Sequence, residues 1–175
     1  MPLILSGSAG LSGNVGNVTK DMLPAGSVLQ VVHVPKTDIF SFTNTSFIDV
    51  PGLVASITPR YASSKILVSC NVSLGATAGS FAVFPRLARN GSGIFLSDLV
   101  GSRIQAAAMY EMGAANTTPV SLTYLDSPNT TDAVTYSLQV RVNSNTGRVN
   151  GSAGDSDVSN WSRSVSSLTL MEVKS

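Results

Sequence analysis

Charge, cysteine and histidine are scarce in this chain. Only 12% of the 175 residues are Asp, Glu, Lys or Arg, the formal net charge is +1, and Cys70 and His33 are the only residues of their types. Globular domains usually carry about twice that share of charge. One cysteine excludes an intrachain disulfide, and scattered basic residues argue against nucleic-acid binding. Such a weakly charged surface suits a chain that buries much of it against copies of itself or a larger assembly.

Long apolar runs are missing as well. No stretch approaches the roughly 18 consecutive apolar residues of a membrane-spanning helix, so we expect no membrane insertion. The first residues, MPLILSG, have no basic segment and only a short apolar run before Gly and Ser follow. We therefore expect no secretory signal, and synthesis in the cytosol.

Residues 1–26 differ from the rest because Gly, Ser and Asn dominate and no amphipathic period is sustained. Such a segment cannot form a core of its own, so the sequence predicts an N-terminal arm. Its apolar run, Pro2, Leu3, Ile4 and Leu5, could dock on a partner as an added strand or a plug. A frayed terminus is the alternative.

From residue 27 onwards the sequence is typical of β-structure. Period-two alternation and β-branched residues predict strands at 27–34, 38–42, 45–50, 53–59, 65–75, 79–89, 118–125, 133–143 and 166–173. Residues 102–112 fit a strand or a helix. With turn signals between the strands, residues 27–175 are predicted to form an all-β, antiparallel β-sandwich of jelly-roll type.

The strand patterns also predict the environment of single residues. Cys70 falls on the apolar side of its strand, as a small buried side chain would. Pro85 indicates an edge strand or a bulge, since proline cannot donate to a sheet ladder. His33 is expected to be half-buried or at an interface, and Asp126 is expected to accept backbone N–H bonds in a turn.

No catalytic or cofactor motif is present. The chain lacks a P-loop, a nucleophile elbow, H-E-x-x-H and C-x-x-C. We therefore expect neither enzymatic activity nor a cofactor. Asp155 and Asp157 place oxygen ligands at alternate positions, as calcium loops do, but the remaining positions of the EF-hand pattern fail. They stay weak metal candidates against a solvated hairpin loop.

Three blocks of the sequence together resemble a known group of proteins. They are GSVLQVVHV after the Gly-rich arm, FTNTSFIDVPGLVASITPRYASSKILV, and YLDSPNTTDAVTYSLQVRV followed by NWSRSVSSLTLMEVK. This series, which spans residues 26–175, resembles tail-fibre-like virion structural proteins of aquatic bacteriophages, of the cyanophage type. Each block alone is weak evidence for the resemblance, and the order of the three blocks is its specific feature.

The resemblance implies a virion protein with a β-sandwich head, trimeric and attached to the particle through residues 1–26. It implies other virion proteins as partners, in the tail, the baseplate or the major capsid shell, and a role in host attachment. A host surface glycan could then be recognised by loops. Asn90, Gly91, Asn129 and Trp161 are candidates because they fall in turns or loops.

Two other functions remain open. The chain lacks the long shaft of many fibre proteins, so a capsid decoration protein that clamps the head is the alternative. A glycan-degrading enzyme is the remote one, because it needs two facing carboxylates that the sequence does not reveal. Trp161 also has two interpretations, stacking on a sugar ring or packing over the end of the sandwich.

Overall fold

The computed structural model describes most of the chain, and its regular elements are almost all strands. The described residues are 19–77, 81–112, 117–152, 157, 159 and 163–175. They contain one 3₁₀ turn, Lys20–Met22, and eleven strands, which are β1 (Val28–Lys36), β2 (Phe40–Phe42), β3 (Ile48–Ile57), β4 (Lys65–Ala76), β5 (Phe81–Arg89), β6 (Ser92–Ile94), β7 (Tyr110–Met112), β8 (Thr117–Asp126), β9 (Val134–Val142), β10 (Gly147–Val149) and β11 (Ser166–Val173). No helix in this part of the chain is long and apolar enough to cross a membrane.

The strands form two antiparallel sheets whose pairs are nested in chain order. In the first sheet β1 lies beside β11, β11 beside β4 and β4 beside β8, while β10 and β2 extend the sheet next to the last residues of β4. The second sheet runs β3, β9, β5, and β6 and β7 share the remaining side of β5. The first long strand thus pairs with the last, and the strands of the other pairs lie between these two in the sequence. This nesting in two packed sheets is that of a jelly roll and confirms the predicted fold class.

The core between the sheets is built from one face of each long strand. The inward side chains of β4 and β9 are all 3% exposed or less: Ile66, Val68, Cys70, Val72, Leu74, Val134, Tyr136, Leu138, Val140 and Val142. Both sets alternate in sequence, so the period of two predicted them correctly. The burial predicted for Cys70 is confirmed, and this burial raises the pKa of its thiol to about 12. The thiol therefore stays protonated at neutral pH.

The open question over residues 102–112 is answered by a packing contact. Residues 95–109 have no regular secondary structure, and only Tyr110–Met112 form a strand. Ile104 and Ala106 pack against Ala82 and Phe84 on the outer face of the second sheet. The small Ala side chains let the segment lie close to the sheet, and this contact outweighs the helix propensity of Ala.

Pro85 was predicted on an edge strand or at a bulge and lies at neither, because its pairing with β9 is in continuous register. It lies in β5, which pairs with β9 on one side and with β6 and β7 on the other. β6 pairs with Leu87–Arg89 and β7 with Phe81–Val83, so Pro85 faces the gap between them. Its carbonyl accepts the N–H of Ala107 at 3.2 Å on that side. Because no strand pairs with Pro85 on this side, the sheet does not need the backbone N–H that proline lacks.

The two ends of the sandwich differ in what they carry. At one end, which we call the arm end, Gly26 N–H donates to Lys174 O at 2.7 Å, which holds the segment before β1 against the end of β11. Lys174 Nζ also donates to the carbonyls of Lys20, Asp21 and Leu23 at 3.2, 3.0 and 2.6 Å. Of the predicted arm, residues 1–18 lie outside the described residues.

The opposite end, which we call the far end, is organised around Asn150. This residue is fully buried with φ 63°, and its amide group donates to Lys36 O at 2.8 Å and Asp38 O at 3.1 Å. Its side-chain oxygen accepts the Ser166 hydroxyl at 2.5 Å. One side chain therefore joins the end of β1, the end of β10 and the start of β11.

Gly75 provides a test of this packing. A Cβ at Gly75 would lie 2.0 Å from the carbonyl oxygen of Gly151. Neither backbone can move without disturbing the β4–β10 pair, so we expect Gly75→Ala to lower the free energy of unfolding by about 1–3 kcal/mol or more, as overpacking does. Thermal and denaturant unfolding would measure the change. Ser69→Ala, on the outer face of the same strand, is the control, and equal losses in both variants would contradict the contact.

Candidate interaction surfaces

A buried carboxylate ties the two sheets together at the arm end. Asp126, at the end of β8, accepts the Tyr136 hydroxyl at 2.7 Å and Arg89 Nη1 at 2.9 and 3.1 Å. Burial, and then the bond to Asp126, raises the pKa of Tyr136. The expected role of Asp126, accepting backbone N–H groups in a turn, was therefore wrong. Its partners are side chains of the opposite sheet, which turn preferences in the sequence do not reveal.

A second buried carboxylate lies two strands away in the same sheet. Glu172 is fully buried and accepts Gln30 Nε2 at 2.6 Å and the backbone N–H of Arg60 at 2.7 Å. In register, Ile66 stands between Glu172 and Asp126, and it too is fully buried. The two acids thus lie on either side of a core side chain, with structural hydrogen bonds. A glycosidase needs its carboxylates on opposite sides of an open substrate cleft.

The remaining chemistry-bearing residues are dispersed. His33 is exposed on the outer face of the first sheet, where its Nδ1 lies 2.9 Å from the Thr169 hydroxyl, so it is not half-buried. Its expected place at an interface stays a prediction. No three His, Cys, Asp or Glu side chains group closely enough to hold a metal in the part of the chain that the structure describes. Of the weak metal candidates, Asp155 lies outside the described residues, and Asp157 is exposed.

Asn90 and Gly91 form the tight turn that joins β5 to β6, with φ values of 49° and 80°. Asn90 bonds to the backbone of Thr135, since its N–H donates to Thr135 O at 2.8 Å and its side-chain oxygen accepts Thr135 N–H at 2.9 Å. The carbonyl of Gly91 accepts Gln139 Nε2 at 3.4 Å. Both residues are exposed, but their polar groups already serve the turn and the adjacent strand.

Of the four candidate receptor-facing residues, the three that the structure describes lie at the arm end. Asn129 is exposed with φ 54° in the β8–β9 connection, two residues after Ser127, whose carbonyl accepts Arg89 Nη1 at 3.4 Å. This connection and the Asn90–Gly91 turn are both at the arm end. Trp161 lies outside the described residues, in the connection whose described ends, after β10 and before β11, are at the far end.

The outer face of the second sheet is partly covered by residues 95–109. The Arg86 guanidinium lies 3.8 Å from the Phe47 ring centre, and burial lowers the pKa of Arg86. A shallow cleft of about 480 Å³ lies along the covering segment, lined by Phe84, Ser97, Arg103, Ile104, Ala106, Ala107, Ala108 and Met109. Large apolar side chains of this segment stay exposed: Phe95, Leu96, Leu99, Val100 and Met109. An apolar surface of this kind is typical of an interaction site.

The outer face of the first sheet is organised in rows that cross its four long strands. One row is apolar and consists of Val31, Met171, Leu67 and Leu125, which are consecutive partners in register. We call it the apolar row. The next two rows are polar or small: His33, Thr169, Ser69 and Thr123, then Pro35, Ser167, Asn71 and Ser121. The alternation of β4 places Leu67 on the face opposite to the inward Cys70, but only the register reveals the row.

Comparisons with known proteins show no family for this chain. No family model matches the chain, and no curated protein matches it. Solved structures of infectious bursal disease virus are similar in fold: the Gt strain (11% identity, TM-score 0.47, 98% of this chain and 48% of that chain), the Gx strain (9%, 0.46, 83% and 37%) and the VP2 subviral particle (11%, 0.40, 82% and 38%). The chain spans less than half the length of each. At such identities and scores they carry no argument about function, and none of the three is a tail-fibre protein.

The tie between the sheets can be tested by removing one hydroxyl. Tyr136→Phe keeps the ring in the core but takes one hydrogen bond from the buried Asp126, so we expect the free energy of unfolding to fall by about 1–3 kcal/mol. Chemical denaturation at neutral pH would measure it. Tyr124→Phe is the matched control, because that ring stacks on Phe95 at 5.2 Å between centroids. A loss no larger than in the control would show that the tie is unimportant.

Proposed function

We propose that this chain is a bacteriophage virion structural protein, attached to the particle through residues 1–26 and serving as a trimeric tail-fibre or host-adhesion head. The observation that carries the proposal is the layout of the chain, a jelly roll preceded by an arm whose first 19 residues have no charged side chain. Residues 1–19 contain no Asp, Glu, Lys or Arg. The sequence blocks that resemble tail-fibre-like virion proteins supply the biological setting. We expect the protein in the virion after synthesis in the host cytoplasm.

A structural role without catalysis is supported by how the reactive groups are used. The two buried carboxylates, Asp126 and Glu172, accept hydrogen bonds that hold strands in place. The Cys70 thiol is buried, and its raised pKa keeps it from acting as a nucleophile. Neither a cofactor nor nucleic acid is proposed as a ligand, the latter because the net charge is only +1.

The arm also determines which end of the head can meet a host. If residues 1–26 bind the particle, Asn90, Gly91 and Asn129 lie at the end that faces the particle. A host glycan would then meet the far end, where the connection that contains Trp161 leaves and re-enters the sheet. We therefore propose this connection as the receptor-binding element, because an aromatic side chain in a polar loop can stack on a sugar ring.

A capsid decoration protein is the second candidate, and the placement of the loops favours it. Three of the four predicted receptor residues lie at the arm end, and the side-chain oxygen of Asn90 and the carbonyl of Gly91 already accept hydrogen bonds from strand β9. A decoration protein needs no receptor site and only requires firm attachment and neighbour contacts. Weakly charged faces and an anchoring arm would serve that purpose equally well.

Electron microscopy of intact phage particles would separate these functions. An antibody against residues 27–175 carrying gold should label the tail or its tip if the protein is an adhesin. Label spread over the head would instead establish decoration, and purified particles without label would contradict the virion assignment. Because the arm is the proposed anchor, the chain without residues 1–26 should fail to bind particles that lack the protein, while the full chain binds with saturation.

Trimer formation is tested separately. Light scattering at micromolar concentration should give three times the 18.1 kDa mass of one chain. The physical reason is that a surface of which so little is charged leaves apolar patches that copies can cover. A monomer at that concentration would contradict a stable trimer of the free protein, and would leave attachment to the particle to be judged by the binding experiment.

A further inference from the structure

The apolar row on the first sheet is an unusual feature of an outer face. Val31 is 55% exposed and Leu125 is 45% exposed, and Met171 and Leu67 lie half-buried between them. The other outward positions of these strands are mostly Ser, Thr, Asn and Pro. No described residue packs over the row, whereas Val165 lies beside the Asn71 end of the same face. Four aligned apolar side chains are therefore left to water in the described part of the chain.

The size of the face points to a small occupant. Four strands about 4.8 Å apart make a row roughly 14 Å long, and with its neighbouring rows the face covers on the order of 400 Å². A stable interface between two globular proteins buries about 800 Å² on each partner. The row is too small to hold a second folded domain by itself, but it is as long as an extended segment of four residues, about 13 Å.

The low charge of the outer face further restricts which kind of segment could bind there. On the outer positions of β1, β11, β4 and β8, only Lys65 and His33 can ionise. An apolar, uncharged segment suits such a surface, since a charged one would lose hydration without gaining a partner. The chain itself contains one such segment outside the described residues, the run Pro2–Leu5, in an arm that has no charged side chain before Lys20.

The arm begins close enough to reach the row. Lys174 Nζ bonds to the carbonyls of residues 20, 21 and 23, so the chain enters the described region within one side chain's length of Lys174. Met171 of the apolar row lies three residues before Lys174, about 10 Å along the strand. Residues 6–18 can extend up to roughly 43 Å. A tether of this length also gives the run a millimolar effective concentration at its own sheet, well above that of another copy.

We propose that the Pro2–Leu5 run folds back onto the apolar row of its own chain, formed by Val31, Met171, Leu67 and Leu125. The occupant is this run of the same chain, and the arm of a second copy is an outcome that would overturn the proposal. Docking removes from water the apolar side chains of both the run and the row. The proposal extends the anchoring role, because a particle site would have to displace the run from the row.

Protection of the arm from proteolysis tests the docking in the full chain. Proteinase K would be added to the free protein, and cleavage within residues 1–18 would be followed by mass spectrometry. We compare Leu67→Lys, which puts a charge in the centre of the row, with Ser69→Lys, which puts the same charge in the adjacent polar row of the same strand. We expect cleavage at least about tenfold faster in Leu67→Lys and unchanged in Ser69→Lys, with circular dichroism confirming that both are folded.

Dilution identifies the source of the arm. Protection by the chain's own run should be the same at about 100 µM and about 1 µM, because the tether sets its effective concentration. Protection lost on dilution would assign the run to a second copy and overturn the proposal, as would equal cleavage of the wild type and Leu67→Lys. Neither result concerns the particle, so the anchoring function is judged independently by the particle-binding experiment.

Discussion

The buried carboxylate of Asp126 is the constraint on which the position of the two sheets depends. A charge inside a protein is tolerated only when it is paired and hydrogen-bonded. Asp126 comes from β8 of the first sheet, whereas its partners Tyr136 and Arg89 come from β9 and β5 of the second. A one-residue slip of any of these strands would turn its side chain to the other face and leave a bare charge in the core. The tie therefore specifies register, which apolar packing alone specifies less sharply.

At the far end, the buried hydrogen bonds that join the strands are made by neutral side chains and not by a carboxylate. Asn150 sits fully buried and satisfies carbonyls of the segment after β1, while Ser166 satisfies Asn150 and receives the backbone N–H of Ser73 at 3.1 Å. In the described residues, the polar side chains of these two networks therefore serve contacts between strands, whereas the exposed apolar side chains lie mainly on the outer faces and in the connections.

Alternation in the sequence was enough to predict the jelly roll and the inward faces of β4 and β9, because each strand has one face in the core and one outside it. It was not enough for features that depend on contacts distant in sequence. The partners of Asp126, the gap that accommodates Pro85 and the packing of Ala106 on the second sheet all arise from tertiary contacts that no local pattern records. β6 and β10, of three residues each, are too short for periodicity to reveal. The apolar row shows the same limit, since alternation alone places Leu67 on the face opposite to Cys70, but its alignment with Leu125 required the register.

The placement of the turns constrains any model of host attachment. An Asn-Gly pair and an exposed Asn are natural candidates for a polar binding loop, and on sequence alone Asn90, Gly91, Asn129 and Trp161 are equivalent. The fold makes them unequal, because the first three share their end of the sandwich with the segment that leads into the arm. If the arm binds the particle, a receptor can meet those three only by entering the space between head and particle. An adhesin attached in this way must therefore bind its receptor with the far end or with the outer faces. A decoration protein has no such requirement.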